Sequence, residues 1–213
     1  MTRLDDGKLT ALARSVIEAD ERAVHAALGA VNEEFLQVAR LLGGAEGKVL
    51  VTGCGTSGAI AARAAHMLSV CGCPAFYLPP DDGLHGGLGV LQPNDLVIAL
   101  SKGGGSAVLN EFCNRAKSLC RSVIAVTGAP KSALGGIADH VVALKFDDDA
   151  DLGDVVATGS SLATAAVLDA LCEVARVSRG YDWRRLLFTH PSGAVGRAAP
   201  QTIERLTWPP TEE

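Results

Sequence analysis

The chain reads as a doubly wound α/β protein: a five-stranded parallel sheet with helices on both faces, preceded by an N-terminal helical segment. Three observations predict this. Short β-branched runs alternate with helical patterns through the middle of the chain, and two of those runs end in glycine turns that open a helix. The composition, 48% hydrophobic with 24 glycines and only 4% aromatics, suits a core of Ala, Val and Leu. Strands separated by helices imply parallel pairing with both sheet faces covered. At 213 residues the chain is long enough for one such domain and short for two. The division expected is a helical segment over 1–45, a sheet domain over 46–200 and a tail over 201–213.

The elements follow in order. Residues 8–42 carry apolar positions at helical spacing (Leu9, Leu12, Val16, Val24, Leu28, Val31, Phe35, Val38, Leu42), as one helix or two ended by Gly43-Gly44. That stripe needs a cover, either the sheet or another subunit. Val49–Thr52 is the first strand, with a helix over 57–71. Ala75–Leu78 is the second, followed by a Pro/Gly-rich stretch over 79–94. Leu96–Leu100 precedes a glycine turn and a helix over 106–119. Val123–Thr127 precedes a short helix near 131–137, and Val141–Phe146 is the fifth strand. An acidic loop, Asp147-Asp148-Asp149-Ala150-Asp151, leads to a helix over 158–176. That last helix is apolar almost all round, which requires burial on every side and suggests a subunit interface.

A formal charge of −5 without a Lys/Arg cluster argues against a nucleic-acid partner. The six cysteines match no zinc pattern and read as buried free thiols, so no metal is expected. Met1–Asp6 lacks the apolar core of a signal peptide, and no apolar run reaches membrane-spanning length. The expectation is a soluble, reduced, cytoplasmic protein with no membrane partner. His25, Glu111 and Arg63 read as surface or intersubunit residues. His66 reads as a packed helix residue, and Trp183 and Trp208 as packing groups.

Chemistry concentrates in the two glycine turns. Gly53-Cys54-Gly55-Thr56-Ser57-Gly58 and Ser101-Lys102-Gly103-Gly104-Gly105-Ser106 each sit at the carboxyl end of a strand, where open α/β sheets bind ligands. Helix N-termini offer free N–H groups and a positive dipole end to an anion. Thr56, Ser57, Ser101 and Ser106 add hydroxyls, and Lys102 a positive charge. A phosphate site is the favoured reading, with tight structural turns as the alternative. The first turn also fits the dinucleotide fingerprint, and Asp81 stands in range of a ribose-binding acid, but Pro79-Pro80 separates it from the strand. NAD remains a minor alternative.

These turns, the segment Asp82-Gly83-Leu84-His85-Gly86-Gly87-Leu88-Gly89 and the tail His190-Pro191-Ser192-Gly193-Ala194-Val195-Gly196-Arg197 resemble the sugar isomerase (SIS) domain, in its arabinose-5-phosphate isomerase branch. The resemblance covers roughly residues 30–200. It implies a five-stranded parallel sheet, a homotetramer, and a sugar phosphate held by Gly55, Thr56, Ser57, Ser101, Lys102, Gly103, Gly104, Gly105 and Ser106. It also implies aldose–ketose interconversion through a cis-enediol, which needs groups that move protons and no cofactor. His85 and His190 match the family's two site histidines, the second reaching in from a neighbouring subunit, and Asp148 aligns near a functional Glu. Members of this branch often carry CBS domains after the SIS domain; the chain ends without them, so regulation through them is not expected.

The departures are specific. Thr56 stands where the family carries Lys, and in the second turn Gly replaces both a Ser and the Glu at Gly105. Two readings follow from this. One is an isomerase of a phosphorylated sugar, with His85, His190 and Asp148 in proton transfer. The other is a non-catalytic sugar-phosphate sensor or regulatory SIS protein.

Overall fold

The structure, a computed structural model, describes residues 5–190. Helix α1 (Asp6–Ala26) begins where the Asp5 carboxylate caps the Lys8 N–H at 2.9 Å. A 3-10 turn over Ala27–Ala30 then breaks the segment, and α2 (Glu33–Gly43) restarts it with Asn32 capping the Phe35 N–H. The 8–42 pattern is therefore two helices. Next come β1 (Val49–Gly53), α3 (Gly55–Val70), β2 (Ala75–Tyr77) and α4 (Pro80–Leu84). After a 3-10 turn over Gly87–Val90 follow β3 (Leu96–Leu100), α5 (Ala107–Ala116), β4 (Ser122–Thr127) and α6 (Ala133–Ile137). Strand β5 (His140–Ala143), α7 (Gly159–Ser178) and α8 (Trp183–Thr189) complete the described chain.

All five strands are parallel in the order β2-β1-β3-β4-β5. Alternation along each strand divides the core. Val49, Val51, Leu96, Ile98, Leu100, Ile124 and Val126 face a layer made by α1, α2, α3 and α7. Leu50, Val97, Ala99, Val123 and Ala125 face α5 and the segments around it. The chain leaves β1 to one side for β2 and returns on the other side as β3. The switch point thus falls between β1 and β3, where such sheets open a crevice. The register pairs Gly53 with Leu100, so both glycine turns leave the sheet at one level.

Helix α7 buries one face within the chain. Ala163, Val167, Leu171 and Ala175 are fully buried in the layer that includes Ala23, Ala27, Phe35 and Leu42, leaving Leu162, Val174 and Val177 partly exposed. Arg63 on α3 forks onto Asp169 of α7 at 2.6 and 2.9 Å. The N-terminal stripe is only half covered, with Leu9, Leu12, Ile17 and Leu28 open in the single chain. His66 is also exposed, contrary to its packed reading, because it falls on the solvent face of α3. Beneath the sheet, at the amino ends of β1 and β3, the buried Asp95 carboxylate accepts the Lys48 N–H at 2.8 Å and the Gln92 N–H at 2.7 Å. Its other partner is the Lys48 ammonium at 2.5 Å.

Candidate functional site

Both glycine turns open where the sequence places them. Gly55 takes φ +56°, a left-handed conformation that glycine adopts freely. At Gly58 the reason is space: a Cβ would stand 2.7 Å from the Gly53 carbonyl oxygen, so α3 packs against the end of β1 only because no side chain intervenes. In the second turn Gly104 has φ +62° and lies against Ser132, its N–H donating to Ser101 Oγ at 3.1 Å. Gly103 and Gly105 differ. Neither has a positive φ, and a Cβ on either would meet nothing within 4 Å. Nothing among the described residues requires glycine there, and the backbone at both positions is bare toward solvent.

Between these turns and the start of α7 lies a crevice lined by Thr56, Ser57, Ser101, Lys102, Thr127, Ser160, Ser161 and Thr164, with Phe146 as an apolar wall. Its enclosed base is small, about 20 Å³, enough for a single water. A larger ligand has to lie toward the open side, against Lys102. Cys54 and Ser106 mark that junction, Sγ and Oγ standing 3.5 Å apart at the N-caps of α3 and α5.

Lys102 is anchored at both ends. Its carbonyl accepts the Gly128 N–H at 3.0 Å and the Thr127 hydroxyl at 3.2 Å, while its ammonium donates to Asp151 Oδ2 at 2.6 Å. Asp151 also accepts the N–H groups of Thr158 and Ser160 and the Ser160 hydroxyl. Burial alone would raise its pKa, but the bonds from Lys102 and Ser160 outweigh it and hold the carboxyl below the usual range. Sequence reasoning missed Asp151, which is one acid among several in a run. The readable signal was Gly153-Asp154, both at positive φ (57° and 56°), a tight turn that folds the loop back so that Asp151 meets Thr158 and Ser160.

The remaining predicted residues fall elsewhere. Asp148 is exposed on the loop, and its neighbour Asp149 pairs with Arg22 at 2.5 Å. His85 ends α4 and is exposed, on the side of the sheet where Gly83, Leu84 and Gly86 form a groove with Glu111 and Arg115 of α5. His190 ends α8, its Nδ1 2.8 Å from the Leu186 carbonyl. Helix α8 lies beside Lys48, Pro74 and Ala75, at the amino ends of β1 and β2. It is thus on the opposite end of the sheet from the crevice. The described structure does not bring either histidine to the two turns within one chain. Residues Pro191–Arg197 of the tail motif lie outside the described residues.

Among the described residues, no group of three or more His, Cys, Asp or Glu is placed to hold a metal ion, and no helix is long and apolar enough to cross a membrane. Cys71, Cys73, Cys113 and Cys172 are buried free thiols, Cys120 is half-buried, and Cys54 is exposed.

The family model for the SIS domain matches residues 44–174, which takes in β1 through most of α7. Among curated proteins, arabinose 5-phosphate isomerase GutQ of Salmonella typhi is 31% identical over 176 residues, covering 83% of this chain and 55% of GutQ. The chain thus spans about half the length of the curated relatives it matches. Among solved structures, a candidate sugar-phosphate isomerase of Listeria monocytogenes superposes with a TM-score of 0.85 at 27% identity, covering 89% of this chain and all of the other. The E. coli CFT073 protein c3406, solved in complex with a sugar phosphate, shares the fold with a TM-score of 0.83 at 24% identity, covering 88% of this chain and all of that one. With the family match extending over more than half its length, the chain belongs to the SIS-domain family.

Proposed function

We propose that the chain binds a phosphorylated sugar in the crevice between its glycine turns and interconverts its aldose and ketose forms. The single observation that carries this reading is the convergence of hydroxyls from α3, the second glycine turn, β4 and α7 around one anchored ammonium, Lys102, at the switch point of the sheet. The N-terminus of α3 offers its first-turn N–H groups and dipole to the same place, where its Thr56 and Ser57 line the crevice. Gly103 and Gly105, bare where nothing in the fold asks for glycine, let a phosphate approach the backbone. The similarity to arabinose 5-phosphate isomerases supports a pentose phosphate as the first substrate to try.

In the proposed reaction a base removes the proton at C2 as the C1 carbonyl oxygen gains one, giving a cis-enediol; the carbon-bound proton returns at C1 as the C2 hydroxyl gives up its own, leaving the ketone. Among the described residues, Lys102 is the one acid–base side chain lining the crevice, and it is committed to Asp151. Proton transfer in this reading therefore falls to groups from outside it. His190 at the far end of the sheet suits delivery to a neighbouring copy, with His85 and the exposed Asp148 assisting. A homotetramer and a cytoplasmic location belong to the same proposal. No cofactor takes part in it.

The test is a panel of tetrose, pentose, hexose and heptose phosphates, each assayed for a thermal shift and for turnover, together with His190→Ala. The reading expects one sugar phosphate to stabilise and react, and His190→Ala to lose turnover while keeping the shift. Unchanged turnover would remove His190 from the mechanism. A shift without turnover for every sugar would make the protein a sugar-phosphate sensor.

A further inference from the structure

The Lys102–Asp151 pair has a division of labour that the sugar-phosphate reading leaves unassigned. The Asp151 side chain is 2% exposed and that of Lys102 is 47% exposed. Both oxygens of Asp151 are doubly engaged: Oδ1 with the N–H groups of Thr158 and Ser160 at 2.9 and 3.0 Å, Oδ2 with Ser160 Oγ and Lys102 Nζ at 2.7 and 2.6 Å. A carboxylate offers about four acceptor directions, so none remains for a substrate. A group so held is a poor base and a good anchor.

Lys102 is the opposite. Its ammonium has three N–H donors, of which Asp151 takes one, and the Phe146 ring lies 5.8 Å from Nζ. Two donors therefore remain, on a side chain whose backbone is fixed by Gly128 and Thr127 and whose tip is fixed by Asp151. A free lysine loses rotamer entropy when it closes on an anion; a lysine already held has lost it in folding. The same contact ties the second glycine turn to the start of α7, so two walls of the crevice keep one spacing.

We propose that Asp151 is a positioning residue that holds the Lys102 ammonium at the crevice wall, where it receives the phosphate of the ligand. The proposal rests on the sugar-phosphate reading. It makes Lys102 the cation of the site although Thr56 occupies the family's lysine position.

The experiment measures arabinose 5-phosphate and arabinose binding by calorimetry to the wild-type chain and to Asp151→Asn, Lys102→Ala and the double variant, with a melting temperature for each. Asp151→Asn retains side-chain bonding to the α7 N–H groups and loses the charge. Expected is a loss of about tenfold in sugar-phosphate affinity in each single variant, and no further loss in the double variant, because Asp151 acts through Lys102. A lower melting temperature with unchanged affinity would make Asp151 merely structural and overturn the proposal, as would additive losses in the double variant. Should Asp151→Asn fail to fold, Ser160→Ala, which frees Oδ2 of one donor, is expected to weaken the sugar phosphate about threefold; unchanged affinity overturns the proposal. If no sugar phosphate binds the wild-type chain, the functional reading falls first and this proposal with it. If one binds and Lys102→Ala leaves it unaffected, only this proposal falls.

Discussion

Glycines in the two turns do different jobs, and alanine substitution separates them. At Gly58 a Cβ would stand 2.7 Å from the Gly53 carbonyl oxygen and 2.8 Å from the Tyr77 hydroxyl. The hydroxyl can swing aside, but the carbonyl belongs to β1, so α3 itself has to shift by several tenths of an ångström. Overpacking of this kind costs about 1–3 kcal/mol. For a chain of this size that is a fall of roughly 3–10 °C in melting temperature. At Gly105 a Cβ meets nothing and φ is not positive, so Gly105→Ala reduces only the freedom of the unfolded chain and stabilises by about 0.4–1 kcal/mol. The functional ranking runs the other way. Gly105→Ala places a methyl group on the bare backbone of the second turn, and its sugar-phosphate affinity should fall severalfold in a protein that melts no lower than wild type. Calorimetric melting and ligand titration of both variants supply the assay. A Gly105→Ala protein that melts early, or a Gly58→Ala protein that melts like wild type, would refute the reasoning.

Three further outcomes follow from the same geometry. Asp95→Ala leaves the Lys48 and Gln92 N–H groups and the Lys48 ammonium without their acceptor, at a cost of about 3–5 kcal/mol, read as a lower urea midpoint. Asp95, Asp139 and Asp151 all have carboxyls held below the usual range, since hydrogen bonds from Lys48, Val123 and Lys102 among others outweigh burial. Their contribution is present above the unfolded value, about 3.9, and is lost as pH falls through their folded values. Urea midpoints should therefore drop on acidification below about pH 4, and less steeply in Asp95→Asn. Cys54 is exposed, whereas burial pushes Cys113 up to about 12 and Cys120 up to about 11. Alkylation at pH 8, followed by peptide mass spectrometry, should label Cys54 first, and bound sugar phosphate should slow it; early labelling of Cys113 would contradict this.

The strands were legible because each is a short β-branched run bounded by turn residues, and Val49, Leu96 and Val123 all fall in the strands expected of them. The fifth was overextended: apolar character continues through Phe146, but β5 ends at Ala143, and Phe146 turns in to wall the crevice. The apolar content of α7 was legible in the sequence, but the elements that cover its buried face were not. Periodicity reports that a face is buried and says nothing of whether α1 or another chain buries it. In the site, Thr56, Ser57, Ser101 and Lys102 were readable from two local turns. Asp151, Ser160 and Thr164 were not, because α7 begins more than fifty residues after the second turn and only the sheet order brings it there.

Aldose–ketose isomerisation removes the proton at C2 of the aldose phosphate. Incubation of the wild-type chain with arabinose 5-phosphate in deuterated water, followed by proton NMR, reads it directly. Expected is loss of the C2 proton signal with appearance of the ketose phosphate, and both effects abolished in His190→Ala. Retention of the C2 proton in arabinose 5-phosphate and in every other sugar phosphate of the panel would contradict it.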